Sequence, residues 1–320
     1  MEQASAAAFD RRAIPDYVIE SKWKCSDGWA LRRADWPVPD APRGSILFLA
    51  GRGDFLEKYL ESLDHWHRRG WAVTALDWRG QALSGRLGRD TTTGHVDDFA
   101  LWADDLTAFW TQWQAGAPGP RILMGHSMGG HLALRAVAAG HVMPDALVLS
   151  APMLGIPAHG LPLALFHMAA RIMCRLGDPR RPAWKWSEKP GQLPEDRSIL
   201  LTHDAARYGD EVFWRTARPG LVMGPGSWGW LRAAIASMRQ LDRKAVLGSV
   251  RVPVQIVATS ADKLVSPSAI RRAARWIPGA SLLMFGPEAR HEILREADPV
   301  RLKAIGAIDE FLDRVAPAAN

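Results

Sequence analysis

The stretch Arg121-Ile-Leu-Met-Gly-His-Ser-Met-Gly-Gly-His-Leu-Ala-Leu-Arg135 limits what this chain can fold into more than any other. Ile122 to Met124 is an apolar run of strand type. Gly125-His-Ser-Met-Gly129 then turns sharply, and Leu132 to Ala139 carries apolar residues at helical spacing. A serine in Gly-x-Ser-x-Gly between a strand and a helix reads as a nucleophile elbow, a strained turn that exposes the hydroxyl. Glycines two before and two after it leave room for backbone that any Cβ would strike. The spacing alone is weak evidence; strand, turn and helix in the required order make it strong. Gly224-Pro-Gly-Ser-Trp-Gly229 is the internal control. There Pro225 holds the minus-two position and no apolar strand precedes Ser227, so the segment reads as a turn.

Around the elbow, strands and helices alternate. Tyr17–Trp23 and Trp29–Trp36 read as a hairpin over Ser26-Asp-Gly28, after a frayed segment 1–15. Ser45–Ala50, Trp71–Leu76 and Ala146–Pro152 are apolar runs of the buried parallel type. The segment Leu56–Arg69 has helical spacing and stops at Gly70. Val96–Trp113 reads as an amphipathic helix with two acids in its first turn. Alternation lapses from 153 to about 235, a region of helical stretches, prolines and tryptophans. It resumes with strand 252–258, helix 268–276, strand 281–285 and helix 299–315. The pattern implies a doubly wound, mainly parallel sheet formed by 1–152 and 236–320, with 153–235 inserted as a helical cap.

A serine hydroxyl needs a histidine to take its proton, and that histidine needs a carboxylate to fix its tautomer. On such a sheet both follow the serine, on loops after late strands. Asp262 lies just past strand 252–258 and His291 just past strand 281–285. Glu288 and Glu292 compete as the acid, but close sequence neighbours would struggle to reach the Nδ1 side of His291. His65 and His67 share one surface helix and read as solvated. His126 and His131 flank the serine without being placed as its base. The oxyanion of an acyl-transfer intermediate needs backbone N–H donors. Met128, directly after the serine, offers one, and Arg52 in the glycine-containing loop 50–54 offers the other.

Composition excludes other classes. No cysteine cluster, His-Glu-x-x-His or glycine-rich phosphate loop occurs, and the chemistry needs no metal or organic cofactor. Net charge is +6, but acids are plentiful and no long basic run appears, so nucleic acid is not the expected partner; weak attraction to anionic lipid or phosphate is a more economical use of the excess. Cys25 and Cys174 give no disulfide framework, which points to a reducing compartment. With neither a signal-peptide pattern nor a membrane-spanning run, the expected place is the cytoplasm, with peripheral contact at the inner face of the membrane.

From about residue 15 to 315 the chain resembles α/β-hydrolases of the lysophospholipase L2 and monoacylglycerol lipase group. The resemblance is carried by Gly51-Arg52 with Glu57-Lys-Tyr59, Asp77-Trp-Arg-Gly-Gln81 with Ser84, Gly94-His-Val96, Asp104-Asp-Leu106 and Gly125–Gly130. Ala151-Pro-Met153, Leu201-Thr-His203 with Arg207-Tyr208, and His291-Glu-Ile-Leu294 extend it. It implies hydrolysis of a single long acyl chain from a glycerol or glycerophosphate backbone. The stretch 201–208 and Gly51-Arg52 look closer to the lysophospholipase branch. Monoacylglycerol lipase and general carboxylesterase remain open, as does a non-catalytic receptor or scaffold on the same fold. Two departures stand out: Ala50 where monoglyceride lipases begin His-Gly-x-Gly, and Ala82 where a glycine is usual. Two expectations go further. A helix over 160–177 places His167, Arg171 and Arg175 on one stripe among apolar residues, with Phe166 and Met173 candidates for the acyl tunnel or a lipid-facing side. The Arg52 side chain is a candidate contact for a substrate phosphate.

Overall fold

The computed structural model describes residues 9–157, 163–185 and 195–317. Eight strands form one sheet: β1 (Ile19–Lys24), β2 (Ala30–Asp35), β3 (Gly44–Leu49), β4 (Trp71–Leu76), β5 (Arg121–His126), β6 (Ala146–Ser150), β7 (Val254–Thr259) and β8 (Ser281–Phe285). Their order is β1-β2-β4-β3-β5-β6-β7-β8. The pairings of β1 with β2 and of β2 with β4 are antiparallel; β3 to β8 are parallel to one another. The helices are α1 (Leu60–Arg68), α2 (Ala100–Gly116), α3 (Ser127–Ala138), α4 (Leu163–Arg175), α5 (Glu195–Leu201), α6 (Ala205–Ala217), α7 (Trp228–Leu241), α8 (Lys244–Leu247), α9 (Pro267–Trp276) and α10 (Asp298–Val315).

The period-two alternation of strand side chains divides the core in two. Leu47, Leu49, Leu123, Leu147 and Ile256 face a layer built with α2, α3, α7 and α9. Ile46, Phe48, Ile122, Met124 and Val148 face the other, built with α1 and α10. Strands covered on both sides can be apolar on both faces, which is why β3, β4 and β6 are buried along their whole length and mainly hydrophobic.

Several sequence expectations change. The helix expected at 96 begins at Ala100, and Asp97 and Asp98 precede it; Asp98 accepts the Ala100 N–H at 2.8 Å. The side chain's ability to bond locally stops the helix from extending backwards. Of the segment expected to fray, residues 1–8 lie outside the described residues, while Arg11 and Arg12 both bond Asp210 of α6. His65 and His67 are half-buried, and His65 Nε2 lies 2.8 Å from Asp309 Oδ2 of α10. The helix expected over 160–177 is α4; 160–162 fall outside the described residues. The expected 235/236 boundary falls inside α7, whose Ala233, Ala234, Ile235 and Met238 are part of the first core layer.

Candidate active site

The elbow is built as its glycines demand. Ser127 has φ +50°, in the left-handed region that costs a non-glycine residue about 1–2 kcal/mol, at the junction of β5 and α3. A Cβ at Gly129 would lie 2.3 Å from the carbonyl oxygen of Leu49, and one at Gly125 2.6 Å from the Gly130 nitrogen. The two glycines therefore let α3 return against β3 and β5 while the serine is held upright. Ala82, standing where a glycine is usual, also takes a left-handed turn at φ +44°.

His291 Nε2 lies 3.0 Å from Ser127 Oγ, and His291 Nδ1 lies 2.8 Å from Asp262 Oδ2. The other oxygen of Asp262 accepts the N–H groups of Leu264 and Val265 at 2.8 and 2.9 Å. Asp262 and His291 are both buried. Burial alone would raise the Asp262 pKa, but the facing imidazole and these hydrogen bonds hold it below the usual carboxylate value. Burial would likewise lower His291, but the Asp262 carboxylate outweighs it and the pKa is raised above 6.5. This arrangement can move a proton between a serine oxygen and a carboxylate-oriented imidazole.

The competing acids point elsewhere. Glu292 bonds Lys58 and Arg295, and Glu288 accepts the Gly286 N–H. His126 is buried with its ring centre 4.8 Å from that of His291, and burial pushes its pKa down to about 4. His131 Nε2 is 2.7 Å from Ser237 Oγ on α7.

Loop 50–54 abuts the serine: a Cβ at Gly51 would fall 3.1 Å from Ser127 Cβ. The loop is fixed on both sides of Arg52. Asp54 Oδ2 accepts the Gly51 N–H at 3.1 Å, and Gln81 Oε1 accepts the Gly53 N–H at 2.7 Å. Trp78 Nε1 donates to Ala50 O at 2.9 Å. Met128 is the second residue of α3, where backbone N–H groups lack intrahelical acceptors.

Above the serine lies a cavity of about 500 Å³. Met153, Ile156, Leu200, Leu231, Leu264 and Trp230 give it a largely apolar wall, with Ser127 and His291 at its floor and Arg52 and Arg197 on its sides. Phe166 and Met173 are not on that wall. They are half-buried on α4, Phe166 against the α7-containing core layer and Met173 accepting from Arg181 through its carbonyl. Among the described residues, no group of three or more His, Cys, Asp or Glu side chains could hold a metal ion, and no helix is long and apolar enough to cross a membrane.

The sequence profile of the hydrolase family described as serine aminopeptidase, S33, matches residues 40–298. The chain belongs to that family. Within this α/β-hydrolase family it is 30% identical over 300 residues to lysophospholipase L2 of Escherichia coli strain K12, covering 86% of this chain and 82% of the relative. It is 24% identical to a monoacylglycerol lipase of Mycolicibacterium smegmatis, covering 82% and 86%. A soluble variant of the monoglyceride lipase of Saccharomyces cerevisiae, solved with a substrate analog, shares its fold, with a TM-score of 0.72 at 18% identity, covering 97% of this chain and 100% of that one.

Several family-like residues turn out to be scaffolding. Arg32 ties Glu57 to Asp77, Arg79 pairs with Asp105, and Arg207 bonds Glu61, Asp204 and Asp298. The Glu57-Lys-Tyr59 stretch gives no sign of what Lys58 does: its side chain is fully buried and bonded to Asp54, Glu211 and Glu292. The one local signal was the i,i+4 pair Asp54–Lys58; Glu211 and Glu292 arrive from far along the chain.

Proposed function

We propose that this protein hydrolyses the carboxylic ester of a single-acyl-chain lipid, a lysophospholipid ahead of a monoacylglycerol, through an acyl-enzyme on Ser127. The observation that carries the reading is Ser127 at 3.0 Å from His291 on the floor of an apolar cavity flanked by arginines. His291 takes the Ser127 proton as Oγ attacks the ester carbonyl, and Asp262 stabilises the imidazolium. The N–H groups of Arg52 and Met128 receive the developing oxyanion. As the intermediate collapses, His291 gives the proton to the departing glycerol oxygen. Water then attacks the acyl-serine with His291 as base, releasing the fatty acid. The helices between β6 and β7 act as the cap over the acyl chain.

Fatty-acid release from lysophosphatidylethanolamine and from 1-monoacylglycerol of the same chain, with Ser127→Ala as control, tests this. The expected result is preference for the phospholipid, abolished in the variant. Release from the monoacylglycerol alone moves the protein to the neutral-lipid reading, which the Mycolicibacterium relative favours. Release from neither overturns the lipid-esterase reading. Fluorophosphonate labelling of Ser127 separates any hydrolase from a non-catalytic receptor.

The reading also places α4 at a lipid surface. Leu165, Met168, Ile172 and Leu176 recur at helical spacing and are 46%, 54%, 46% and 77% exposed, with Arg171 and Arg175 exposed beside them. These residues, rather than Phe166 and Met173, form the outward apolar side. Met168→Glu with Ile172→Glu is expected to abolish sedimentation with anionic liposomes; undiminished sedimentation removes the proposal.

A further inference from the structure

Resting on the lipid-ester reading, we infer that Glu296 is a positioning residue that fastens the acyl-chain wall of the cavity to the catalytic base, so that a chain lying on that wall sets His291 for proton transfer. Wall and base meet at one place. α5 ends at Leu201, and Leu200 and Leu201 both line the cavity above Ser127. Their carbonyl oxygens accept the N–H groups of His291 and Glu292, at 3.4 and 2.8 Å. The side chains that a lipid meets and the carbonyls that hold the base therefore belong to the same two residues. Two backbone bonds are a weak link, however, and α5 is a helix of only seven residues, too short to keep its place without other contacts.

Glu296 supplies those contacts. Its carboxylate is wholly buried, and its partners come from both sides of the junction. From the loop after β8 it accepts the N–H of Arg290, directly before His291, at 2.7 Å on Oε1, and that of Ala297 at 3.0 Å on Oε2. From the residues after α5 it accepts the His203 N–H at 3.0 Å on Oε2, and His203 Nδ1 lies 2.9 Å from Oε1. Each oxygen thus bridges the base loop and the end of α5, which a carboxylate can do because both its oxygens accept. Two further side chains repeat the link. Arg290 Nη1 donates to Ser198 O and Thr202 O at 3.0 and 2.7 Å, at the helix end where carbonyls lack intrahelical donors. Thr202 Oγ1 donates to Arg295 O at 2.8 Å. α5 can therefore shift only by carrying the base loop with it. Binding energy from a part of the substrate remote from the reacting bond raises kcat when it orients a catalytic group. A long acyl chain braces Leu200 and Leu201, and Glu296 passes the brace to His291. An acetyl group covers little of a cavity of about 500 Å³ and leaves α5 unbraced.

The test measures kcat and KM separately on p-nitrophenyl octanoate and p-nitrophenyl acetate, which share one leaving group, with wild type, Glu296→Gln and Arg290→Met. Glu296→Gln keeps the size of the side chain but leaves one accepting oxygen in place of two. Arg290→Met keeps the backbone N–H on Glu296 and removes only the two bonds to α5, so it carries the same test if Glu296→Gln proves unfolded by circular dichroism. In wild type, kcat on the octanoate is expected to exceed kcat on the acetate roughly tenfold. Each variant is expected to bring that ratio most of the way to one by lowering kcat on the octanoate, with KM for the octanoate moving less than about twofold. Equal losses of kcat on both esters leave Glu296 a structural residue and overturn the inference, as does a loss confined to KM. A wild-type kcat that does not rise with chain length overturns it as well. All three results leave the esterase reading standing. Wild-type protein that cleaves neither ester overturns both.

Discussion

Ser127 and Ser227 both stand among glycines, and both have a histidine and an aspartate in line. Ser127 Oγ is 3.0 Å from His291, which is 2.8 Å from Asp262; Ser227 Oγ is 2.7 Å from His95, whose other nitrogen is 3.4 Å from Asp97. By the serine–histidine distance alone the second set is the tighter. The difference lies in what holds each group. Ser127 is in a left-handed turn at the floor of a cavity, whereas Ser227 has φ −77°, is wholly buried, and accepts the Trp230 N–H as the N-cap of α7. Asp262 is buried and fixed by two backbone N–H groups, whereas the Asp97 side chain is 76% exposed. Burial, only partly offset by Asp97, lowers the His95 pKa, while Asp262 raises that of His291. A serine, a histidine and an acid within reach are a common structural arrangement. A strained turn, a buried oriented acid and a cavity beside the hydroxyl are what set Ser127 apart from Ser227.

The largest effect that could break this contrast is on turnover. Ser127→Ala or Asp262→Asn is expected to lower kcat/KM for the lipid ester by about 10⁴-fold or more. Asp97→Asn is expected to leave it within error. The pH profile sharpens the point. Because Asp262 holds the His291 pKa above 6.5, the base is lost as pH falls through that raised value, giving an acid limb there. Removing the carboxylate leaves burial as the dominant influence, so the limb of the residual Asp262→Asn activity moves to lower pH. A limb that stays in place would detach the pair from catalysis.

The features that the sequence revealed are those encoded locally. The elbow, the buried strands and the loops that carry Asp262 and His291 are each written in a few adjacent residues, as 122–129 and 252–262 illustrate. The start of α2 is not legible in the sequence because Asp97 and Asp98 suit a first helical turn as well as they suit the residues ahead of one. Helical periodicity gives the faces of α4 but not which face meets α7, so it cannot decide on which side Phe166 and Met173 lie. Lys58 with Glu211 and Glu292, and the Arg52 stack on Trp184 and Trp230, join residues distant in sequence. Only the folded chain brings them together.

A smaller effect separates the glycines of the two segments. Gly129→Ala drives a Cβ into the carbonyl oxygens of Leu49 and Ala50, at 2.3 and 2.4 Å, which belong to a central strand and the loop after it. Neither can move without opening the sheet, and a loss of about 3 kcal/mol or more in a chemical denaturation midpoint is expected. Gly229→Ala meets the His95 ring at 2.6 Å, but also the Pro179 carbonyl at 3.2 Å. A ring can rotate where a strand carbonyl cannot, so its loss should be the lesser of the two. Equal losses would mean that the elbow is no more constrained than the α7 cap.

The smallest effect isolates the role assigned to Ser227. Its hydroxyl both accepts the Trp230 N–H at 3.0 Å and meets His95 Nδ1 at 2.7 Å. Ser227→Ala removes a helix cap and a buried hydrogen-bond partner together, which costs about 1–2 kcal/mol. Thermal unfolding should register that loss while kcat/KM on the neutral ester stays at the wild-type value. Ser127→Ala should show the reverse, because relieving a serine of its duty at a strained turn removes function without removing a cap. Ser227→Asn, which can still cap α7, should recover part of the lost stability if capping is what the hydroxyl contributes. If turnover instead followed Ser227, hydroxyl exposure and backbone strain would have to be abandoned as the features that distinguish the two sites.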